Sequence, residues 1–232
     1  MRKTFVSVIL IAGVLSLGCG TVFAQKASAA KAEKERVRKS VEVFQDLLNL
    51  PEKGIPPALL KKAQAIAIIP GLLKAAYVVG GEHGRGVIAV RLDNGGWSHP
   101  AFISMTGGSL GFQIGVEKSD IILVFKDKAS VATIAGGKFT LGGGASVAAG
   151  PVGRSAQAST DVNFEAEVYS YSKAKGAFAG ISINGASLQM DMDANERFYG
   201  KSGLTVDDIL SQNLSAPPEA RELVNLLDKS TK

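Results

Sequence analysis

Few stretches of this chain hold residues at a spacing that catalysis demands. Gly107-Gly108-Ser109-Leu110-Gly111 has the G-x-S-x-G form of a hydrolase nucleophile elbow. That chemistry needs a strand before the serine, a helix after it and a later histidine to take the hydroxyl proton. Both histidines, His83 and His99, precede Ser109, and the glycine-broken run from Phe112 to Val116 reads as extended. Ser170-Tyr171-Ser172-Lys173 has the S-x-x-K spacing of penicillin-recognising enzymes, but no S-D-N or K-T-G follows it. Gly84-Arg85-Gly86 echoes a dinucleotide fingerprint, yet a strand follows where a helix is required, and no G-x-x-x-x-G-K-[ST] loop occurs. The sequence predicts no enzyme activity, no catalytic residue and no cofactor.

Metal and nucleic-acid chemistry are as poorly supplied. Two distant histidines and one cysteine cannot build an ordinary zinc site. Asp191-Met192-Asp193 with Asn195 and Glu196 lacks the spacing and central glycine of a calcium loop, and reads as a solvated strand end. The aromatics Tyr169, Tyr171, Phe178, Phe198 and Tyr199 have no RNA-binding signature around them and are read as core. Binding is left, and the side chains suited to it are basic. Lys53, Lys61, Lys62 and Lys74 lie near an amphipathic helix, the combination that rests on an anionic bilayer interface, and they are the predicted lipid-binding residues.

The charge distribution supports that choice. The chain of 232 residues carries 26 basic and 21 acidic side chains, a net charge of +5. Ten basic and five acidic residues fall between Lys26 and Ala75, so the positive excess sits early and favours an anionic partner. Ahead of it, Arg2 and Lys3 precede an apolar run from Phe5 to Leu17 that is short for a membrane span, as in a secretory signal. Two processing routes fit. Val22-Phe23-Ala24 suits ordinary cleavage before Gln25, and Leu17-Gly18-Cys19 suits lipidation of Cys19, although Ser16 is a poor match to that pattern. Either route places the protein in the periplasm or cell envelope. Cys19 is the single cysteine, so no intramolecular disulfide forms.

The elements that must position these residues change character along the chain. From Lys26 to Leu50, Val37, Val41, Phe44 and Leu48 recur at helical spacing, with Lys, Arg and Glu on the other faces. Pro56-Pro57 starts a second helix whose apolar face is Ala58, Leu59, Ala63 and Ile66. From Ala75 the pattern becomes extended. Tyr77 to Val79 and Val87 to Val90 flank a hairpin-like connection at Gly80–Gly86, and Asp93-Asn94-Gly95-Gly96 is a second turn. Strands are predicted at Trp97–Ile103, Ile114–Val116, Ile121–Phe125, Lys138–Ala148, Val162–Tyr171 and Phe178–Met192. Asp127 caps a short helix through Ile134, Thr205 with Asp208 forms a capping box, and a last helix spans Pro218 to Leu227.

Taken in order, several segments resemble one family. Ile55-Pro56, Ala67-Ile68-Ile69-Pro70, Gly80-Gly81 and Gly95-Gly96-Trp97-Ser98-His99-Pro100 come first. Gly108-Ser109-Leu110-Gly111-Phe112-Gln113-Ile114-Gly115, Ala149-Gly150-Pro151-Val152-Gly153-Arg154, Tyr171-Ser172, Gly176-Ala177-Phe178-Ala179-Gly180 and Asn195-Glu196-Arg197-Phe198-Tyr199-Gly200 follow. From Ile55 to Gln212 the series resembles the SYLF lipid-binding domain, also known as a yeast-type actin-binding domain. That resemblance implies binding of phosphoinositides and other anionic lipids, with an N-terminal helix contributing, and in some members binding of actin. The glycine signatures are expected to specify the fold rather than lipid contacts.

The expectation is therefore an α+β fold, with a curved, mainly antiparallel sheet closing toward a barrel or sandwich and helices at both ends. Residues 1–24 are read as a signal peptide, 25–54 as an amphipathic helix and 55–232 as one domain. The expected partner is an anionic phospholipid at a membrane surface. An envelope protein is the alternative.

Overall fold

The computed structural model describes residues 9–50, 54–152, 165–174, 176–181, 183–211 and 214–231. It is an α+β fold built on one seven-stranded sheet in the order β3-β7-β2-β5-β4, with β1 on β2 and β6 on β5. The strands are β1 (Ala65–Val90), β2 (Ala101–Phe125), β3 (Lys138–Thr140), β4 (Val147–Ala149), β5 (Val168–Ala174), β6 (Ala177–Gly180) and β7 (Ser187–Met190). Around them lie helices α1 (Ile9–Leu48), α2 (Pro57–Lys62), α3 (Lys128–Ala135), α4 (Met192–Tyr199), α5 (Val206–Leu210) and α6 (Pro218–Ser230). All described pairings between these strands are antiparallel except that of β4 with β5.

One hairpin organises the sheet. β1 and β2 pair from Ala65↔Phe125 to Ile88↔Ala101, and the register shifts at Ile69/Leu72 and at Ala76/Val78. Such irregularities bend a strand and increase its twist. The two arms of β1 consequently return to one another. Arg91 N donates to Gln64 O at 2.7 Å, and Gln64 N donates to Phe125 O at 2.7 Å. Gly86 lies so close to the first arm that a Cβ there would stand 2.1 Å from Ile68 O. The sheet thereby curls toward a barrel.

Both faces of the curled sheet are covered. Ile66, Ile68, Val87, Ala89, Phe102, Ile122 and Val124 belong to a core shared with Val37, Val41, Phe44 and Leu47 of α1 and with Leu223 and Leu227 of α6. The alternate positions, including Ala65, Ala67, Ile69, Ile88, Ile103, Leu123 and Phe125, join Val131 and Ile134 of α3, Phe139, Leu188 and Ile209 in a second core. A strand buried on both sides reads as an unbroken apolar run, which explains Ala65-Ile66-Ala67-Ile68-Ile69 and Ile121-Ile122-Leu123-Val124-Phe125.

That double burial also explains where the sequence reading failed. α2 ends at Lys62, and Ile66, expected on its apolar face, belongs to β1. Gly80–Gly86 is no connection: β1 runs straight through it, paired from Gly80↔Ser109 to Gly86↔Ile103. The runs Ile114–Val116 and Ile121–Phe125 are parts of one strand. The expected strands Lys138–Ala148 and Phe178–Met192 are shorter pieces divided by turns at Gly142 and Gly185, both with positive φ. Asp191 is not a strand end but the cap of α4, accepting from Ala194 N at 3.1 Å. The start of the strand expected from Val162 lies outside the described residues.

The local signals held. Asp127 caps α3 by accepting from Ala129 N, Pro57 opens α2, and Thr205 and Asp208 form a reciprocal capping box at α5. The glycine-aromatic motifs serve packing where they are described. Trp97 is buried, donates from Nε1 to Thr231 Oγ1 at 2.9 Å and lies under the Arg91 guanidinium, tying the hairpin turn to the end of α6. Gly150 faces the Tyr171 ring, which stacks on Phe178, and Gly180 faces the Gly150 carbonyl.

Candidate functional site

The segments that resembled catalytic motifs are structural. β2 continues through Ser109, whose backbone pairs with Gly80, so no strand-to-helix elbow forms. Ser170 is buried and donates to the Ala148 and Ile181 carbonyls, while Lys173 pairs with Asp46 of α1. Three positions apart on a strand, Ser170 and Lys173 point to opposite faces and cannot act together. His83 meets Thr106 Oγ1 at 3.2 Å through Nδ1. His99 stacks on Tyr199, and burial, with Arg221 nearby, holds its pKa below the ordinary imidazole value. Among the described residues no group of three or more His, Cys, Asp or Glu side chains could hold a metal.

The predicted lysines that are described lie on two elements. Lys61 and Lys62 are exposed on α2, and Lys74 is exposed near the middle of β1. Lys53 and the side chain of Cys19 lie outside what is described. Most of the apolar face expected of the N-terminal helix is unavailable at the surface, because Val37, Val41 and Phe44, with Leu47, are core residues, while Leu48 is exposed.

Two surfaces beside the hairpin bend carry more. The first is a basic groove of about 330 Å³ between α1 and β1, lined by Ala32, Glu35, Arg36, Lys39, Pro70 and Arg85. Arg36 is anchored there. Its guanidinium lies 5.5 Å from the Phe102 ring centroid, and Nη1 approaches Glu33 Oε2 at 2.6 Å as a charge contact rather than an aligned hydrogen bond. Burial lowers the Arg36 pKa; Glu33 and Asp191 oppose this, while Arg85 and Arg197 add to it. Lys39 and Arg85 are exposed on the groove's rim.

Pro70, in the groove wall, leads directly into the bend. Gly71, at φ +62°, donates its N–H to Asp120 Oδ1 at 2.8 Å, and the Lys118 stem lies across it. Beyond it, Leu73 is opposite Lys118 and Ala75 is opposite Val116. Strand alternation puts these four side chains on one face. Leu73 is 48% exposed and Val116 73%, which together form an uncovered apolar spot next to a lysine. Lys118, Lys39 and Arg85 were not singled out from sequence, because each sits close to an acidic or polar neighbour and reads as solvated. The pairing of β1 with β2 is what gathers them.

The opposite face of the same bend lines the second surface, a cavity of about 670 Å³ bounded by Leu72, Lys74, Glu117, Ser119 and Ile121 and closed by residues of β6 and the segment after it. β7 pairs with β2 only as far as Thr106, and β5 only from Asp120, so the far edge of β2 is unpaired between them among the described residues. The cavity occupies that gap.

The profile of the Ysc84 family, described as Las17-binding protein actin regulator, matches residues 106–230. SH3 domain-containing YSC84-like protein 1 of Xenopus laevis is 37% identical over 207 residues, covering 88% of this chain and 62% of its own length. The chain belongs to the Ysc84 family. Protein YSC84 of Saccharomyces cerevisiae is 41% identical over 203 residues, which cover 84% of this chain and 43% of that protein. LAS seventeen-binding protein 3 of the same yeast is 41% identical over 180 residues. The chain spans about three fifths or less of the length of these curated relatives. Membership in the Ysc84 family agrees with the resemblance drawn from the ordered motifs.

Proposed function

We propose that this chain is an exported, non-enzymatic member of the Ysc84 family that binds anionic lipid at a membrane surface. One observation carries the reading: Arg36, Lys39 and Arg85 line a groove with Glu35 and Pro70, and three residues past Pro70 the same strand carries the exposed Leu73, with Val116 and Lys118 on its face of the hairpin. Guanidinium and ammonium groups attract a phosphate headgroup, and an uncovered apolar spot at the same place enters the headgroup–acyl boundary. The amphipathic α1 contributes cations to the groove and not its apolar face. Export is compatible with this architecture. Cleavage after Ala24 would cut α1 ahead of Glu33, Val37, Val41, Phe44 and Leu47, so its core contacts remain with the mature chain. The expected mature N-terminus is Gln25 or lipidated Cys19, read by mass spectrometry.

Flotation with phosphatidylcholine vesicles, with and without phosphatidylglycerol, tests the binding. Recovery should be greater on the anionic vesicles and fall as salt rises through the screening range. The double variant Lys39→Glu, Arg85→Glu should abolish the anionic preference. Leu73→Ser with Val116→Ser should weaken binding by about tenfold, corresponding to about 1–2 kcal/mol of lost apolar burial. Unchanged recovery of both variants would refute this surface.

A second reading comes from the relatives. The family description is that of an actin regulator, and in that reading the domain docks on a protein rather than a bilayer. Saturable cosedimentation with actin filaments, without vesicle binding, would favour it.

A further inference from the structure

We propose that the cavity beneath the β1–β2 bend is a binding site for an amphipathic amine, with Glu82 receiving the ammonium group and the apolar floor receiving the hydrocarbon. The cavity is separate from the basic groove and faces the other side of the sheet, so the inference does not depend on the lipid reading above. Its floor and walls are Leu72, Ile121, Ile181 and Ile183, with Ala174, Ala177 and Ala179 leaving room between them. At about 670 Å³ it falls within the size range of sites that enclose a small organic ligand.

The charged groups decide which ligand. Lys74 and Glu117 are direct cross-strand partners, so each has an opposite charge beside it. Glu82 has no such neighbour on the facing strand: its partner is Gly107, and its carboxyl end lies over that glycine, where a Cβ would stand 2.7 Å from Oε1. Among the described residues no donor hydrogen-bonds to the Glu82 carboxylate. Burial pushes the Glu82 carboxyl above its ordinary pKa, and Lys74 only partly opposes this. The Glu82 carboxylate is half-buried and so only partly hydrated, and a ligand N–H⁺ would replace the lost hydration with a charge-assisted hydrogen bond.

A fatty acid or phosphate in the same place would face two carboxylates and one lysine. Lys74, being exposed, is free to extend toward solvent and gives such an anion little hold. The chemistry that fits is therefore a hydrocarbon body of moderate length carrying one primary or quaternary ammonium.

Isothermal titration of the full chain with dodecyltrimethylammonium and with dodecanoate, each below its micelle concentration, tests the assignment. The cation should bind saturably at one site, and the anion should bind at least tenfold more weakly. Glu82→Gln should weaken cation binding at least tenfold, and Ile183→Trp, which fills the cavity, should remove it while Glu82 remains. Lys39→Glu with Arg85→Glu, which alters the vesicle surface, should leave amine binding unchanged. Equal or tighter dodecanoate binding, or an affinity unmoved by Glu82→Gln, would overturn the proposal whatever the vesicles show.

Discussion

Gly86→Ala is expected to destabilise the fold by about 3 kcal/mol or more, while Gly108→Ala on the facing strand should change stability by less than about 0.5 kcal/mol. Both glycines lie in the long hairpin, and a list of glycine-rich motifs would treat them alike. Their surroundings differ. A Cβ at Gly86 would lie 2.1 Å from Ile68 O and 2.8 Å from Ile69 Cα, and both are backbone atoms that no rotamer change can move. Relief requires the two arms of β1 to separate a few residues from the hydrogen bond of Arg91 N to Gln64 O, which holds them together. Separation there opens both cores, since Ile68 and Val87 belong to one and Ile69 and Ile88 to the other. At Gly108 a Cβ would meet nothing within 4 Å. Replacing that glycine also restricts the unfolded chain, which offsets part of any loss. Urea denaturation of the two variants reads the difference directly. Equal midpoints would mean that the arms of β1 are not in contact.

The same contact explains why some of the fold was legible in sequence and some was not. Features decided within four residues were read correctly: Asp127 as a cap, Pro57 as a helix start, Thr205 with Asp208 as a capping box. Their physics is local, so sequence contains all of it. Gly84 and Gly86 were read as a turn because glycine density near Val79 and Val87 resembles one. Their actual constraint is the first arm of β1, which approaches only after the strand has bent. Ile66 was placed on a helix for a related reason. An apolar run buried on both faces has no period, so its neighbours in space, not its spacing, decide its structure.

The candidate surface shows the same division. The positive excess near the N-terminus was visible as composition, but its geometry was not. Lys74 is the cross-strand partner of Glu117 and Lys118 follows Glu117 in sequence, yet strand alternation sends the two lysines to opposite faces, one into the cavity and one beside Leu73. The amphipathic pattern of α1 was real as well. Its apolar face is matched to the sheet and α6 rather than to lipid, a choice that periodicity alone cannot express.

What holds α1 in that place supplies the other large expected effect. Glu33→Ala should lower stability by about 3–5 kcal/mol, and Glu33→Gln by clearly less. Glu33 is 2% exposed, with Oε1 accepting from Arg197 Nη2 at 2.9 Å and Nε at 3.2 Å, and Oε2 beside Arg36 Nη1. One carboxylate thus joins α1 to α4 and balances two guanidiniums. Without it, Arg36 remains against Phe102 with Arg85 and Arg197 as like-charged neighbours, and it loses the nearest group that favours its charged form. Glutamine keeps an acceptor and the volume, so it removes the charge without leaving a cavity. Because a buried pair costs desolvation on both sides, Glu33→Met with Arg197→Met should recover much of the loss, which a simple packing defect would not allow. Amide exchange should localise the effect. Protection in the Glu33→Ala chain should fall first across α1 near residues 30–40 while β2 and β5 remain protected, since Phe44 and Leu47 still pack the other end of the helix into the core. If exchange instead rose evenly over the whole sheet, α1 would be an inseparable part of the core, and its basic face could not be regarded as a surface that the domain merely carries.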